Sequence, residues 1–207
     1  MKKVYIELED GAYRGAFTSM GYQTTGILED ADLICFTGGS DVTPRIYGDK
    51  QHPQTYNDVQ RDEKCQRLFH AALGLDKPMV GICRGAQFLN VMSGGRMYQH
   101  VEKHGRSHYI TDLQTGETIY VTSTHHQMMM PSSQAHIIAV AALGGQREWY
   151  TGEVAKRDIS DMDHEVCFYK HTKALCFQPH PEIYQEGAEY AGMRAYFQQL
   201  LNKYLMV

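Results

Sequence analysis

Short apolar runs alternate with amphipathic stretches through the first half of the chain. "KKVYIEL" and "ADLICFTGG" are rich in β-branched and aromatic residues, and each predicts a short buried strand, the second stopped by Gly38 and Gly39. Between them "YRGAFTSMGYQTTG" predicts a short helix and a turn. From Asp58 to Leu75 the apolar residues Cys65, Leu68, Phe69, Ala72 and Leu73 recur at helical spacing, while Arg61, Asp62, Glu63, Lys64 and Arg67 fill the other face. "PMVGIC" is almost wholly apolar, as in a strand covered on both faces of a parallel sheet, and "RGAQFLNVMSGG" follows as a helix that ends at Gly94 and Gly95. Strands alternating with helices predict a parallel sheet with helices on both faces. The loop after Gly39, with Pro44, Gly48 and Pro53, is long, and long loops usually carry function.

Past Gly95 the pattern changes. "HYITDLQTGETIYVTST" has β-rich arms about a hairpin signal at Thr115-Gly116, and "HIIAVAAL", "HEVCFYK" and "KALCFQP" predict further strands. The C-terminal "GAEYAGMRAYFQQLLNKYL" is an amphipathic helix with Tyr190, Met193, Phe197, Leu200, Leu201 and Tyr204 on one stripe. At 207 residues and 43% hydrophobic the chain can bury one full core, so one domain over residues 1–207 is expected. The net charge is −4 and no basic run exceeds Lys2-Lys3, which argues against a nucleic-acid partner. The five cysteines, Cys35, Cys65, Cys83, Cys167 and Cys176, contain no Cys-x-x-Cys pair, which argues against a disulfide framework or a thiolate zinc site and fits a reducing cytoplasm. Glu7, Glu9 and Asp10 follow the two N-terminal lysines before any apolar segment develops, and "HIIAVAALGG" is too short to span a bilayer. Neither a signal peptide nor a membrane partner is expected.

One residue changes the picture from architecture to chemistry. Cys83 lies between Gly81 and Gly85 at a predicted strand-to-helix turn, the spacing of a nucleophile elbow, where only small residues fit beside the strained nucleophile. A thiol there feels the positive end of the helix dipole, and the amide of Arg84 points where an oxyanion would form. "CFQPHPE" can supply the base: Pro181 favours extended backbone at His180, so His180 and Glu182 point to one side, and the carboxylate can orient the imidazole toward Cys83. A second oxyanion donor is expected from the "FTGGSD" loop.

Taken in order, "GGSDVTPRIYG", "GICRGAQFLNV", "STHHQ" and "QPHPE" resemble the class I glutamine amidotransferase-like superfamily, within it the γ-glutamyl hydrolase and γ-glutamyl-GABA hydrolase branch. The resemblance implies a three-layer, doubly wound, flavodoxin-like α/β fold, with a mostly parallel sheet and a small antiparallel β addition in the second half. It makes Cys83 the nucleophile, His180 the general base and acid, Glu182 the orienting carboxylate, and Gly39 and Arg84 the oxyanion-hole amides. Gln87, His125, His126 and Gln127 match segments that hold the glutamyl group. Asp49 stands where the family commonly has glutamate, and Pro179 where an aromatic residue is frequent.

The implied partner is a small γ-glutamyl substrate, glutamine or a γ-glutamyl amide or peptide, with a glutaminase subunit feeding ammonia to a synthetase as the alternative. A non-enzymatic or redox-sensing relative would generally lack the downstream His-x-Glu. No cofactor is required by this half-reaction. His125 and His126, with His100, His104 and His108 nearby, raise the idea of a metal, but no carboxylate or cysteine stands at ligand spacing beside them, so no metal is assigned. Met128-Met129-Met130 reads as core or pocket lining.

Overall fold

The computed structural model describes residues 1–160, 162–183 and 188–207, with 188–191 as backbone only. In the first half the elements are β1 (Lys3–Ile6), α1 (Gly11–Ser19), β2 (Gln23–Thr24), β3 (Leu33–Phe36), α2 (Val59–Gly74), β4 (Met79–Ile82) and α3 (Arg84–Met92). A 3-10 turn at Pro44–Tyr47 is set in the long loop between β3 and α2. The second half holds β5 (Arg96–Tyr98), β6 (His100–Val101), β7 (His108–Asp112), β8 (Thr118–Val121), β9 (Met128–Met130), β10 (His136–Ala141), β11 (Gln146–Thr151), β12 (Val154–Ile159), β13 (Asp163–Tyr169), β14 (Ala174–Phe177) and α4 (Ala188–Leu200).

Among the described residues the main sheet has nine strands in the order β2-β1-β3-β4-β14-β13-β10-β7-β8. From β2 to β14 every neighbouring pair is parallel. From β14 to β8 every pair is antiparallel. The expected α/β architecture is present, and the antiparallel strands continue the same sheet. Side chains alternate between its two faces. On β3, Leu33 and Cys35 join the layer of α1 and α4, where Phe17 and Phe197 meet edge to face, 6.2 Å between ring centroids. Ile34 and Phe36 join the layer of α2 and α3, where Phe36 stacks on Phe88 at 5.4 Å. Of the C-terminal stripe, Met193, Phe197, Leu200 and Leu201 are buried; the side chain of Tyr190 lies outside the described residues.

Local signals explain where the helices begin. Asp10 accepts the Ala12 amide at the start of α1, and Asp58 accepts the Arg61 amide at the start of α2, each satisfying a first-turn N–H that has no intrahelical partner. Two small antiparallel sheets, β12-β11-β6 and the β5-β9 pair, form the antiparallel addition expected in the second half, though their individual strands carry little signal in the sequence. Every residue of β12 is exposed, so no apolar alternation could announce it. The methionine triplet forms β9, with Met128 and Met129 fully buried, as a core reading requires. No described helix is long and apolar enough to cross a membrane.

Candidate active site

Three adjacent parallel strands deliver the site. Phe36 is in register with Gly81, and Ile82 with Phe177, so the carboxyl ends of β3, β4 and β14 lie side by side. The residues just beyond those ends are Gly38, Cys83 and His180. Open α/β sheets place ligands at this edge.

Cys83 has φ 52° and ψ −112°, a left-handed conformation that costs a non-glycine residue about 1–3 kcal/mol. Its amide donates to Phe177 O at 3.0 Å, and its carbonyl accepts the Gln87 amide at 3.1 Å, so it both ends a strand and caps α3. The flanking glycines are sterically obligatory. A methyl on Gly81 would run into the backbone of Gly85 and Ala86, and one on Gly85 into the Phe36 carbonyl.

His180 donates from Nδ1 to Glu182 Oε1 at 2.7 Å, the geometry expected of the His-x-Glu segment. Its Nε2 is 3.0 Å from Thr124 Oγ1, and its carbonyl accepts the Thr122 hydroxyl at 2.9 Å. Burial disfavours the imidazolium, but hydrogen bonding and charge from Cys83 and Glu182 outweigh it and hold His180 up to about 10. The imidazole beside Cys83 therefore keeps a proton at hand.

Gly38 is the contact point between these groups: a Cβ built on it would sit 3.4 Å from His180 Cε1 and 3.7 Å from Cys83 Cβ. Its amide donates to the Tyr13 hydroxyl at 2.8 Å, which leaves the Gly39 amide, free of hydrogen bonds among the described residues, as the loop's available donor. Gly39 has φ 137° and lies against the Arg61 guanidinium, which bonds Glu7 at 2.8 Å and the Thr37 hydroxyl at 2.9 Å. Arg84, as the first residue of α3, has an amide without an intrahelical partner. Its side chain turns inward from the helix N-terminus. It is 1% exposed, paired with Asp62 and Cys65, with its guanidinium over the Phe88 ring.

The expected substrate segment is partly assembled. Gln87 Nε2 donates to Gln127 O at 3.0 Å and to Gln178 Oε1 at 3.2 Å, and Gln127 Nε2 donates to Thr55 Oγ1 at 3.0 Å. His126 Nε2 lies 3.2 Å from Asp41 Oδ1 in the loop after β3. His125 is a correction. Its Nδ1 donates to Gln127 O at 2.8 Å and its Nε2 is 3.5 Å from buried Glu165, so its ring is spent inside the protein and offers the site only backbone.

Sequence reasoning missed Tyr13, Thr122, Thr124 and Gln178. Thr124 lies inside "STHHQ" and could have been named; Tyr13 reads only as a buried position of α1. Burial first, and then the neighbouring Glu182, raise the Tyr13 phenol, which keeps it neutral beside the carboxylate.

The elbow, the imidazole-carboxylate pair and the sheet edge they share define a class I glutamine amidotransferase-like α/β protein. The chain belongs to the Peptidase C26 family, whose model matches residues 18–146. That span contains Cys83 and ends before His180. A glutamine amidotransferase-like protein of Lactococcus lactis, YvdE, is 36% identical over 124 residues, 50% of this chain and 52% of its own. The carbamoyl phosphate synthase small chain of Aquifex aeolicus is 28% identical over 107 residues, 51% of this chain and 25% of its own. The chain spans about half or less of the length of the curated relatives it matches. PurLQS from Thermotoga maritima shares the fold at a TM-score of 0.64 and 15% identity, over 96% of this chain and 97% of that one.

Proposed function

We propose that the protein is a cysteine-dependent hydrolase of γ-glutamyl amide bonds, with Cys83, His180 and Glu182 as its catalytic residues. The observation that carries this reading is the strained Cys83 set against an imidazole that is itself bonded to Glu182 at 2.7 Å. Cys83 passes its thiol proton to His180 Nε2 as Sγ attacks the δ-carbonyl carbon, and the oxygen takes up the carbonyl electron pair between the Gly39 and Arg84 amides. As the C–N bond breaks, His180 gives its Nε2 proton to the departing nitrogen, leaving a glutamyl thioester. Water then gives a proton to His180 and attacks the thioester, the C–S bond breaks, and glutamate and the free thiol result. Gln87, His126 and the backbone of His125 and Gln127 hold the glutamyl group. The γ-glutamyl hydrolase branch is our preferred placement, on the strength of the "DVTPRIYG" loop.

A second reading is favoured by one observation: a relative is the small chain of carbamoyl phosphate synthase, which makes a glutaminase subunit with a synthetase partner a rival. The purified chain offered glutamine, γ-glutamyl-GABA and a γ-glutamyl peptide distinguishes the two. Turnover of the latter substrates by the chain alone supports the hydrolase. Glutamine turnover that rises strongly when a synthetase is added overturns it in favour of the subunit.

A further inference from the structure

The second half of the chain buries a cluster that the proposed reaction does not use. Glu165, on β13, is fully buried, and its Oε1 lies 3.2 Å from His104 Nδ1, 3.3 Å from His108 Nε2 and 3.5 Å from His125 Nε2. Sequence spacing hid this carboxylate, which reaches the histidines only because β13 runs beside them. The donor atoms of His104, His125 and Glu165 all lie within 4.8 Å of one another.

The outer ring nitrogens fix what the inner ones present. His108 Nδ1 is 3.0 Å from the Arg106 carbonyl and His125 Nδ1 is 2.8 Å from the Gln127 carbonyl; a carbonyl only accepts, so both nitrogens carry a proton. His104 Nε2 is 3.3 Å from Asp163 Oδ2, which likewise only accepts, and Asp163 is held at 2.6 Å by Arg147. In the neutral rings the three inner nitrogens therefore turn lone pairs toward a carboxylate. Those nitrogens and both Glu165 oxygens are buried and make no hydrogen bond among the described residues. Buried polar atoms left without hydrogen bonds are costly, and a cation placed between these would satisfy them together. Imidazoles whose far nitrogens donate to carbonyls or a carboxylate are the usual surroundings of a bound metal.

We propose that His104, His125 and Glu165 form a buried zinc site, with His108 Nε2 packed against the same carboxylate. Zinc–nitrogen and zinc–oxygen bonds of about 2.0–2.1 Å imply tetrahedral ligand separations of about 3.3–3.4 Å, close to the 3.2 and 3.5 Å from Glu165 Oε1 to His104 and His125. All three ligands are buried away from solvent, so the metal is structural rather than catalytic. It ties together segments that continue into the candidate active site. His125 adjoins Thr124, which touches His180, and the Glu165 carbonyl accepts the Gln178 amide at 2.8 Å.

The test uses the full chain, purified without a polyhistidine tag from zinc-supplemented medium. Elemental analysis should find about one zinc per chain. Stripping by a chelator should lower Tm, and zinc alone should restore it. Cobalt(II) added to the stripped protein should give the intense visible bands of a tetrahedral site. His125→Gln and Glu165→Gln should each cut zinc content at least tenfold. His100→Ala should leave it intact, since His52, His100 and His126 form a separate, more open group with ring centroids 5.9 and 6.1 Å apart. Metal-free protein whose Tm ignores both chelator and zinc overturns the proposal, as does zinc retained by the stripped site's two variants. If those variants fail to fold, the wild-type measurements decide.

Discussion

The two halves of the main sheet treat polar groups in opposite ways. In the parallel half, β3, β4 and β14 are apolar and fully buried, and the reactive groups stand just beyond their carboxyl ends. In the antiparallel half, β13 carries Asp163 and Glu165 within the strand, buried against histidines and Arg147. Parallel strands sheathed by helices on both faces leave nowhere for charge except at their ends. The antiparallel strands must instead satisfy internal charge with internal partners. The chemistry of the first half is therefore set by backbone geometry, and the integrity of the second by paired side chains.

That contrast can be broken by substitution, and the largest effect is expected at the elbow. Cys83→Ala should lower glutamate release from a γ-glutamyl amide by at least about a thousandfold while leaving Tm nearly unchanged, read by a coupled glutamate assay and calorimetry. Glu182→Gln keeps the shape but removes the charge that orients and stabilises the imidazolium, and a loss of about 10²–10⁴-fold in kcat is expected in the same assay.

Stability responds differently. Arg84→Met leaves Asp62 buried without its cation and should cost about 3–5 kcal/mol in urea unfolding.

A smaller effect sharpens the same point through pH. His180 is held at about 10, above its ordinary value of 6.5, so its stabilising contribution is fully present below about pH 6.5 and is lost as pH rises toward 10. The fall in Tm between pH 7 and pH 10 should be larger in the wild type than in Glu182→Gln, which keeps the Cys83 contribution to the shift but loses that of Glu182. Last, Lys156→Ala on the fully exposed β12 should move stability by no more than about 0.5 kcal/mol, measured alongside the others.

Much of the first half was legible from its residues because its signals are local. "PMVGIC" needs both faces covered, and the bracket of Gly81 and Gly85 states a steric requirement that the Phe36 carbonyl and the Gly85 backbone impose in space. His180 and Glu182 were legible because a single proline sets their relation. The second half was less so. Nothing near His104 in the chain announces Glu165, since their meeting depends on the packing of β13 beside the 104–108 and 122–127 segments. The same limit explains Arg84 and His125: a helix-start arginine and a motif histidine look available in sequence, and tertiary partners Asp62 and Glu165 take them up.

The most direct test of the account is mass spectrometry of the intact protein after incubation with a glutamine-analogue electrophile such as a diazo-ketone. One adduct per chain, mapped to Cys83, absent from Cys83→Ala and slowed in Glu182→Gln, is the predicted result. Labelling spread over Cys35, Cys65, Cys167 or Cys176, or glutamate release that survives in Cys83→Ala, would contradict it.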